Sequence, residues 1–371
     1  MVRVSLLLIM LGVWWSLVFS SDVHAQSVEE NPAKTLLEID LVLPAGPTNP
    51  LLAQRWRQEF QQINESVRIR QGTAEDHPGI TEKTRGPFRI VNVVGLIDLD
   101  GKLKLKDRTF QTGQSRELGV WLNEIKTYGA QGSPSGKPQW GLTDEQFAEL
   151  RQQLSAPTTE TVLGLTMGAA IGTLPIPGDL PLTRHSSIET KWEAATKAIV
   201  TDETQGLSTG TTLAYLLSQQ GLGFRPVRQP NGTIQLFVES LPDIPDPWPV
   251  GWPETKDRFR GDLVPGLFKF IETGVRESSL SSTLDAIEER SGVRLILDLR
   301  TCHEKRLDPD EIQVSYPRKR TTWALIVQSI SVKSFMTMHY REDEAGTGFI
   351  WISPFARYVP PKDKKPVELM K

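Results

Sequence analysis

Thr321-Thr322-Trp323-Ala324-Leu325-Ile326-Val327-Gln328-Ser329-Ile330 and Thr211-Thr212-Leu213-Ala214-Tyr215-Leu216-Leu217-Ser218-Gln219-Gln220 are one pattern used twice. Trp323, Ile326, Val327 and Ile330 fall at i, i+3, i+4 and i+7, the spacing of a helix with one buried stripe. Leu213, Leu216 and Leu217 repeat that spacing, with Gln220 in the last position. A stretch with hairpin character follows each: Phe224–Arg228 and Ile234–Val238 around Pro230-Asn231-Gly232, then Phe335–Tyr340 and Phe349–Ile352 around Ala345-Gly346. The pattern predicts two small α/β units in one chain.

Outward from these, the chain has 371 residues and a net charge of −3, which gives no reason to expect nucleic acid or a membrane surface as partner. Met1-Val2-Arg3, the apolar run Val4–Ser20 and the small residues around Ala25 read as a secretory signal peptide (1–25) cut after Ala25. The alternative, an uncleaved anchor, has a run slightly short of the ~20 apolar residues a span needs. No later stretch is long and apolar enough to cross a membrane. The expected location is therefore periplasmic or secreted. Cys302 is the one cysteine, so an intramolecular disulfide is impossible.

Residues 26–34 are polar and expected to be disordered. Region 35–157 reads as an N-terminal α/β sandwich-like domain: strands at 36–43, 67–70, 88–99 and 102–106, helices at 51–63, 118–125 and 143–154, and a loop from 73 to 87. Asp98-Leu99-Asp100-Gly101 is a turn, and Thr143 with Gln146 is a capping box. The order is similar to a thioredoxin-like core, but the segment lacks the paired cysteines that redox chemistry needs.

The first repeat is expected at 158–241, with a short helix from Val162 to Leu174 and with Ser208 or Thr209 capping the Leu213 helix. Residues 242–275 form a Pro/Trp-rich strap. Within 241–253 its five prolines and two tryptophans, Trp248 and Trp252, predict extended chain. It is either a ligand for a proline-binding module or a strap packing those rings on the flanking domains, and the cost of exposing tryptophan favours the strap. The second repeat spans 276–356: a helix with Leu280, Leu284 and Ile287 ending at Gly292, a strand Val293–Leu299, a short strand Val314-Ser315-Tyr316 from which Pro317 leads out, the Trp323 helix and the final hairpin. A loose Lys-rich tail, 357–371, closes the chain.

The run Leu280…Leu284…Ile287…Gly292-Val293…Ile296…Asp298, then Val314-Ser315-Tyr316, Thr321–Ile330 and the Met336–Ile352 hairpin, resembles an STN domain, the short α/β module at the N-terminus of secretins and signal-transducing TonB-dependent receptors. The resemblance covers about 276–354, with an echo over 160–240. It implies a periplasmic protein–protein docking module. No barrel or secretin pore segment follows in this sequence, so a channel role is not implied. The whole chain is also similar to large secreted envelope proteins of bacteria that carry such repeats.

Reactive residue types are sparse. Cys302-His303-Glu304 is the one adjacent trio, and a loop with one semi-buried thiol explains it better than a nucleophile or metal site, since it lacks the spacing either requires. An intermolecular disulfide through Cys302 is a second reading. Asp98 with Asp100, and Asp308 with Asp310, sit in turns. Arg318-Lys319-Arg320, before a helix N-terminus, could grip an anionic partner or be a solvated face. No catalytic residue, metal ligand or cofactor is assigned.

These readings give an α+β fold, an N-terminal α/β sandwich-like domain followed by two small STN-like α/β repeats, and a non-catalytic exported protein docking an envelope protein or wall component. The expected contact is an exposed strand edge at Val314–Tyr316 with Arg318, Lys319 and Arg320, alongside Trp248 and Trp252. The rival is a secreted hydrolase with a site between the N-terminal domain and the first repeat, which requires His77 or His185 against a buried carboxylate. A purely structural, self-associating component is a third possibility.

Overall fold

The computed structural model describes residues 34–44, 50–73, 75–85, 88–254 and 258–359. The expected signal peptide, the polar segment up to residue 33 and the tail from 360 lie outside these described residues.

Polar-apolar alternation builds the first unit. Its elements are β1 (Lys34–Leu43), α1 (Pro50–Gln62), β2 (Arg68–Gln71), β3 (Gly79–Arg85), β4 (Phe88–Ile97), β5 (Leu103–Lys104), β6 (Thr109–Phe110) and α2 (Ser115–Tyr128). The sheet order is β2-β1-β4-β5-β6, with β3 also paired to β4. β1 runs parallel to β2 and β4, and the register Ile39↔Val93 and Leu37↔Val91 places alternate residues of both strands on one face. That face packs Ile39, Leu41, Val91 and Val93 against Trp56 and Phe60 of α1 and Leu118, Trp121 and Leu122 of α2. The Trp56 indole N–H donates to the Gly101 carbonyl at 3.0 Å, which ties α1 to the tight turn after β4. The loop expected at 73–87 contains β3 instead. Its sequence, Gly-Ile-Thr-Glu-Lys-Thr-Arg, is mostly exposed and carries no apolar stripe, so its pairing comes from the backbone of β4 alone.

Next come α3 (Asp144–Gln153), α4 (Met167–Thr173), β7 (Leu182–Arg184), α5 (Glu189–Ala195), α6 (Thr209–Gln219), β8 (Leu222–Arg228) and β9 (Ile234–Ser240). The capping box at Thr143 and Gln146 starts α3. α3 sends Leu150 and Leu154 into the core of α6, β8 and β9. By packing it belongs with the first repeat, not with 35–157. The helix expected from Val162 is confined to α4, because the chain before it turns at Leu163-Gly164, where Gly164 has φ 79°, and Thr166 caps the helix.

The strap is less uniform than expected. A 3-10 turn at Leu241–Asp243 precedes β10 (Trp252–Pro253), and α7 (Arg260–Leu263) and α8 (Pro265–Phe268) follow. The second repeat contains β11 (Phe270–Ser279), α9 (Leu280–Ser291), β12 (Leu295–Leu297), α10 (Leu299–Glu304), β13 (Gln313–Thr322), α11 (Trp323–Lys333), β14 (Met336–Glu342) and β15 (Gly348–Pro354). Pro317 does not end the strand at Tyr316. It falls in a register shift, where Val275 pairs Tyr316 and Thr273 pairs Lys319, so its missing N–H costs no ladder bond.

The two repeats share one layout. In the first, antiparallel bridges Thr166↔Ile199 and Pro157↔Ser208 join the extended chain before α4 to that before α6. In the second, β11 and β13 do the same before α9 and α11, pairing Ser279↔Gln313 and Phe270↔Thr322. β7 lies parallel to β9 through Leu182↔Leu236, as β12 lies parallel to β15 through Leu295↔Ile350. Each sheet is completed by its hairpin, giving β7-β9-β8 and β12-β15-β14-β10. The stripe residues Leu213, Leu216 and Leu217, and Trp323, Ile326, Val327 and Ile330, are buried in their own cores. Each fully buried aliphatic contributes roughly 1.5–3 kcal/mol. The fold is α+β with mixed sheets.

Candidate functional site

A buried helix end requires a partner for its free backbone groups. The N-terminus of α6 is fully buried, and the turn between β14 and β15 fills it. The Asp343 carboxylate accepts the Ser208 N–H at 2.9 Å. Glu344, 9% exposed, accepts the Ser208 hydroxyl, the Thr211 N–H at 3.0 Å and the Thr211 hydroxyl at 2.9 Å on one oxygen. Its other oxygen accepts the indole N–H groups of Trp248 at 2.6 Å and Trp252 at 3.4 Å. Ser208 stands at the expected cap position, but its hydroxyl makes no cap bond to its own helix and donates to Glu344 instead. A carboxylate there is doubly favourable, since helix N-terminal N–H groups carry partial positive charge. Gly210 leaves the room: a Cβ at that position would sit 2.7 Å from the carboxylate.

A mirror-image arrangement joins the N-terminal unit to the first repeat. The last carbonyls of α2 meet two buried arginines. Arg89, 4% exposed, donates to the carbonyls of Lys126 at 2.9 Å, Thr127 at 2.8 Å and, across the junction, Pro230. Arg228, 2% exposed, reaches from β8 to the carbonyls of Tyr128 at 2.8 Å and Gly132 at 2.5 Å. Cations complement the negative end of a helix. Sequence reading missed these four charged residues. The signals available were a glycine in the first turn of an otherwise apolar helix and charges at inward positions of strands.

Trp248 is 3% exposed and stacks between Trp140 and Phe224, and Trp252 packs edge-on against it. Trp248 is thus buried away from any partner, Trp252 is half-buried, and both indole N–H groups are bonded to Glu344. Alternate residues of β13 point into the core, so the side chains of Val314 and Tyr316 are buried, while the β13 backbone has β11 as its one strand partner among the described residues. Arg318, Lys319 and Arg320 do stay exposed. Arg318 lies 3.7 Å from Glu272, Lys319 sits over the Tyr316 ring, and Arg320 over Phe270, which is 72% exposed.

The expected loop around Cys302 is the helix α10, begun by the Asp298 side chain accepting the Thr301 N–H at 3.0 Å. The thiol is fully buried rather than semi-buried. Burial first, and the Asp298 charge second, push its pKa well up, so it is neither a nucleophile nor open to a second chain in the folded state. His185 bonds Ser187 through Nδ1 at 2.7 Å and approaches no buried carboxylate; among the described residues no such pair forms with His77 either. Asp98 and Asp308 accept N–H groups of their own turns. Among the described residues no group of three or more potential ligands could hold a metal ion.

Burial raises the pKa of several carboxylates, Asp202, Asp285 and Asp343 among them. Asp202 accepts the hydroxyl of Tyr215, and burial, with the charges of Asp285, Glu288 and Asp310, raises its pKa to about 6. The folded chain thus holds a proton there that the unfolded chain releases near the ordinary value of 3.8. Its contribution to stability is present below that value and is lost as pH rises through about 6. Asp202→Asn, compared with wild type by urea unfolding between pH 4 and pH 7, should remove that part of the decline; an unchanged slope would contradict the assignment.

The other open feature is the outer edge of β14. Asp343 N–H bonds the Thr347 carbonyl, towards β15. Alternation then turns the N–H and C=O of Met338 and Tyr340 outward. β10 covers this edge at Trp252↔Glu342 and Pro253↔Arg341. Among the described residues no strand pairs with it from Met336 to Tyr340. A cleft of about 340 Å³ runs along it, walled by Gln328 and Val332 of α11 and by Glu254 and Arg260. Val332, exposed, puts an apolar side chain beside the edge, and Leu325, also exposed, lies seven residues earlier on the same helix.

Compared with family models, with curated proteins and with solved structures, the chain matches none.

Proposed function

We propose that the chain is an exported, non-catalytic docking protein of a cell envelope, and that it takes an extended segment of a partner protein as an added strand at the outer edge of β14. The observation that carries this is the unpaired edge beside a cleft. Proteins blunt open edges with proline, lysine, bulges or a covering element. Met336-Thr337-Met338-His339-Tyr340 has no proline or lysine, and its register with β15 is uninterrupted. β10 is a local example of the same pairing. Added main-chain bonds supply affinity, and the Val332 and Gln328 wall selects side chains. The shared layout of the two repeats, each closing a helix on a small sheet, supports the STN-like reading and, with the reading of residues 1–25, an envelope location.

Met338→Pro removes the outward N–H, which the fold does not use, together with a half-buried side chain packed on the second core, so a modest loss of thermal stability accompanies it. Partner capture from an envelope extract should fall at least about tenfold, and capture by the Arg318→Glu, Lys319→Glu, Arg320→Glu variant should not. Loss with the acidic variant and none with the proline would move the surface to the β11–β13 ribbon.

A further inference from the structure

Gln139 and Trp140 are consecutive non-glycine residues in the left-handed region, with φ 50° and 56°. Each costs about 1–2 kcal/mol for an L-residue, and such strain persists where the surroundings over-determine it. What it achieves is the placement of one ring. The Trp140 indole N–H donates to the Asp246 carbonyl at 2.7 Å. The ring stacks on Trp248 with centroids 5.4 Å apart and planes 21° apart, and Trp248 stacks in turn on Phe224 at 5.7 Å and 18°. Trp140 is thus the end ring of a stack. It lines a cleft of about 370 Å³ between the 134–140 loop, the β8–β9 sheet and the strap.

Besides Pro134, Pro226, Val227 and Pro245, the lining carries charged groups of both signs. Arg225 and Glu239 form an ion pair at 2.9 Å, and Lys137, Asp243 and Asp246 stand around it. An indole face flanked by planar carboxylate and guanidinium groups matches a pyranose ring. One sugar face is C–H and packs on an apolar ring, while its hydroxyls need donors and acceptors together. An anionic ligand fits less well, since carboxylates outnumber bases here. A proline-rich peptide needs a row of aromatic rings, and Trp140 alone supplies one to this lining. We propose that this cleft binds a saccharide, with Trp140 as the stacking platform and the Arg225–Glu239 pair as the hydroxyl-binding group. The site is separate from the β14 edge and stands or falls independently of it.

The test is calorimetric titration of the full chain with the β-1,4-linked tetramer of N-acetylglucosamine, with cellotetraose and with decaproline. At least one saccharide should bind with a dissociation constant below about 1 mM. Trp140→Ala should weaken it at least about tenfold. Because that change could loosen the ring stack, the Arg225→Gln, Glu239→Gln double variant is the second probe; it leaves the stack intact and should give a loss of similar size. No binding of either saccharide, unchanged affinity in the double variant, or binding of decaproline in their place would overturn the assignment.

Discussion

Glu344→Ala should lower the stability of the folded chain by about 3–4 kcal/mol, read as the urea midpoint followed by tryptophan fluorescence. The expected loss is large because the side chain ends in five donors and not in solvent. Removing it strands the Thr211 N–H and the Trp248 indole N–H in a buried site, and each unsatisfied buried donor costs about 1–3 kcal/mol. It also removes a negative charge from the positive end of α6. Glu344→Gln keeps the shape but turns one acceptor into a donor facing donors, so its loss should be smaller than that of alanine. If both variants unfold at the wild-type midpoint, the β14–β15 turn does not lock the two repeats together.

Arg89→Ala should cost about 2–4 kcal/mol, on the basis of roughly 1.5–3 kcal/mol for a hydrogen bond from a charged donor and several such bonds lost at once. The last carbonyls of α2 lose their cation, and the bond to Pro230 that crosses to the first repeat goes with it. Arg228→Met removes the second guanidinium while keeping an apolar stem. The expected signature is uncoupling: a single unfolding transition splits into one for the N-terminal unit and one for the repeats. A single shifted transition in both variants would mean that the units remain joined by other contacts.

The local parts of this molecule were readable from its sequence, and the reasons are physical. Trp323, Ile326, Val327 and Ile330 bury a stripe whose period is that of the helix itself, so spacing alone places them. Gly232 and Gly292 supply the positive φ that a hairpin and a helix end require. The junctions were not readable. Asp343-Glu344 reads as an ordinary turn, and the helix it caps begins at Thr209, far away in sequence. Arg89 and Arg228 look like strand charges until α2 ends against them. β3 was lost because its side chains face solvent, and the length of β13 because Pro317 reads as a terminator unless a register shift excuses its missing N–H. The inward turn of the β13 side chains was hidden for a related reason. Val314 and Tyr316 alternate like any half-exposed strand, and only their packing under α9 and α11 reveals that the alternation points inward.

The most direct test of the docking account is amide hydrogen exchange across β14 with and without the captured partner. Strand addition predicts that the outward N–H groups of Met338 and Tyr340 become protected on binding, while those of Val314, Tyr316 and the Arg318–Arg320 run are unchanged. Protection that appears on the ribbon or in the strap, with Met338 and Tyr340 exchanging as before, would contradict it.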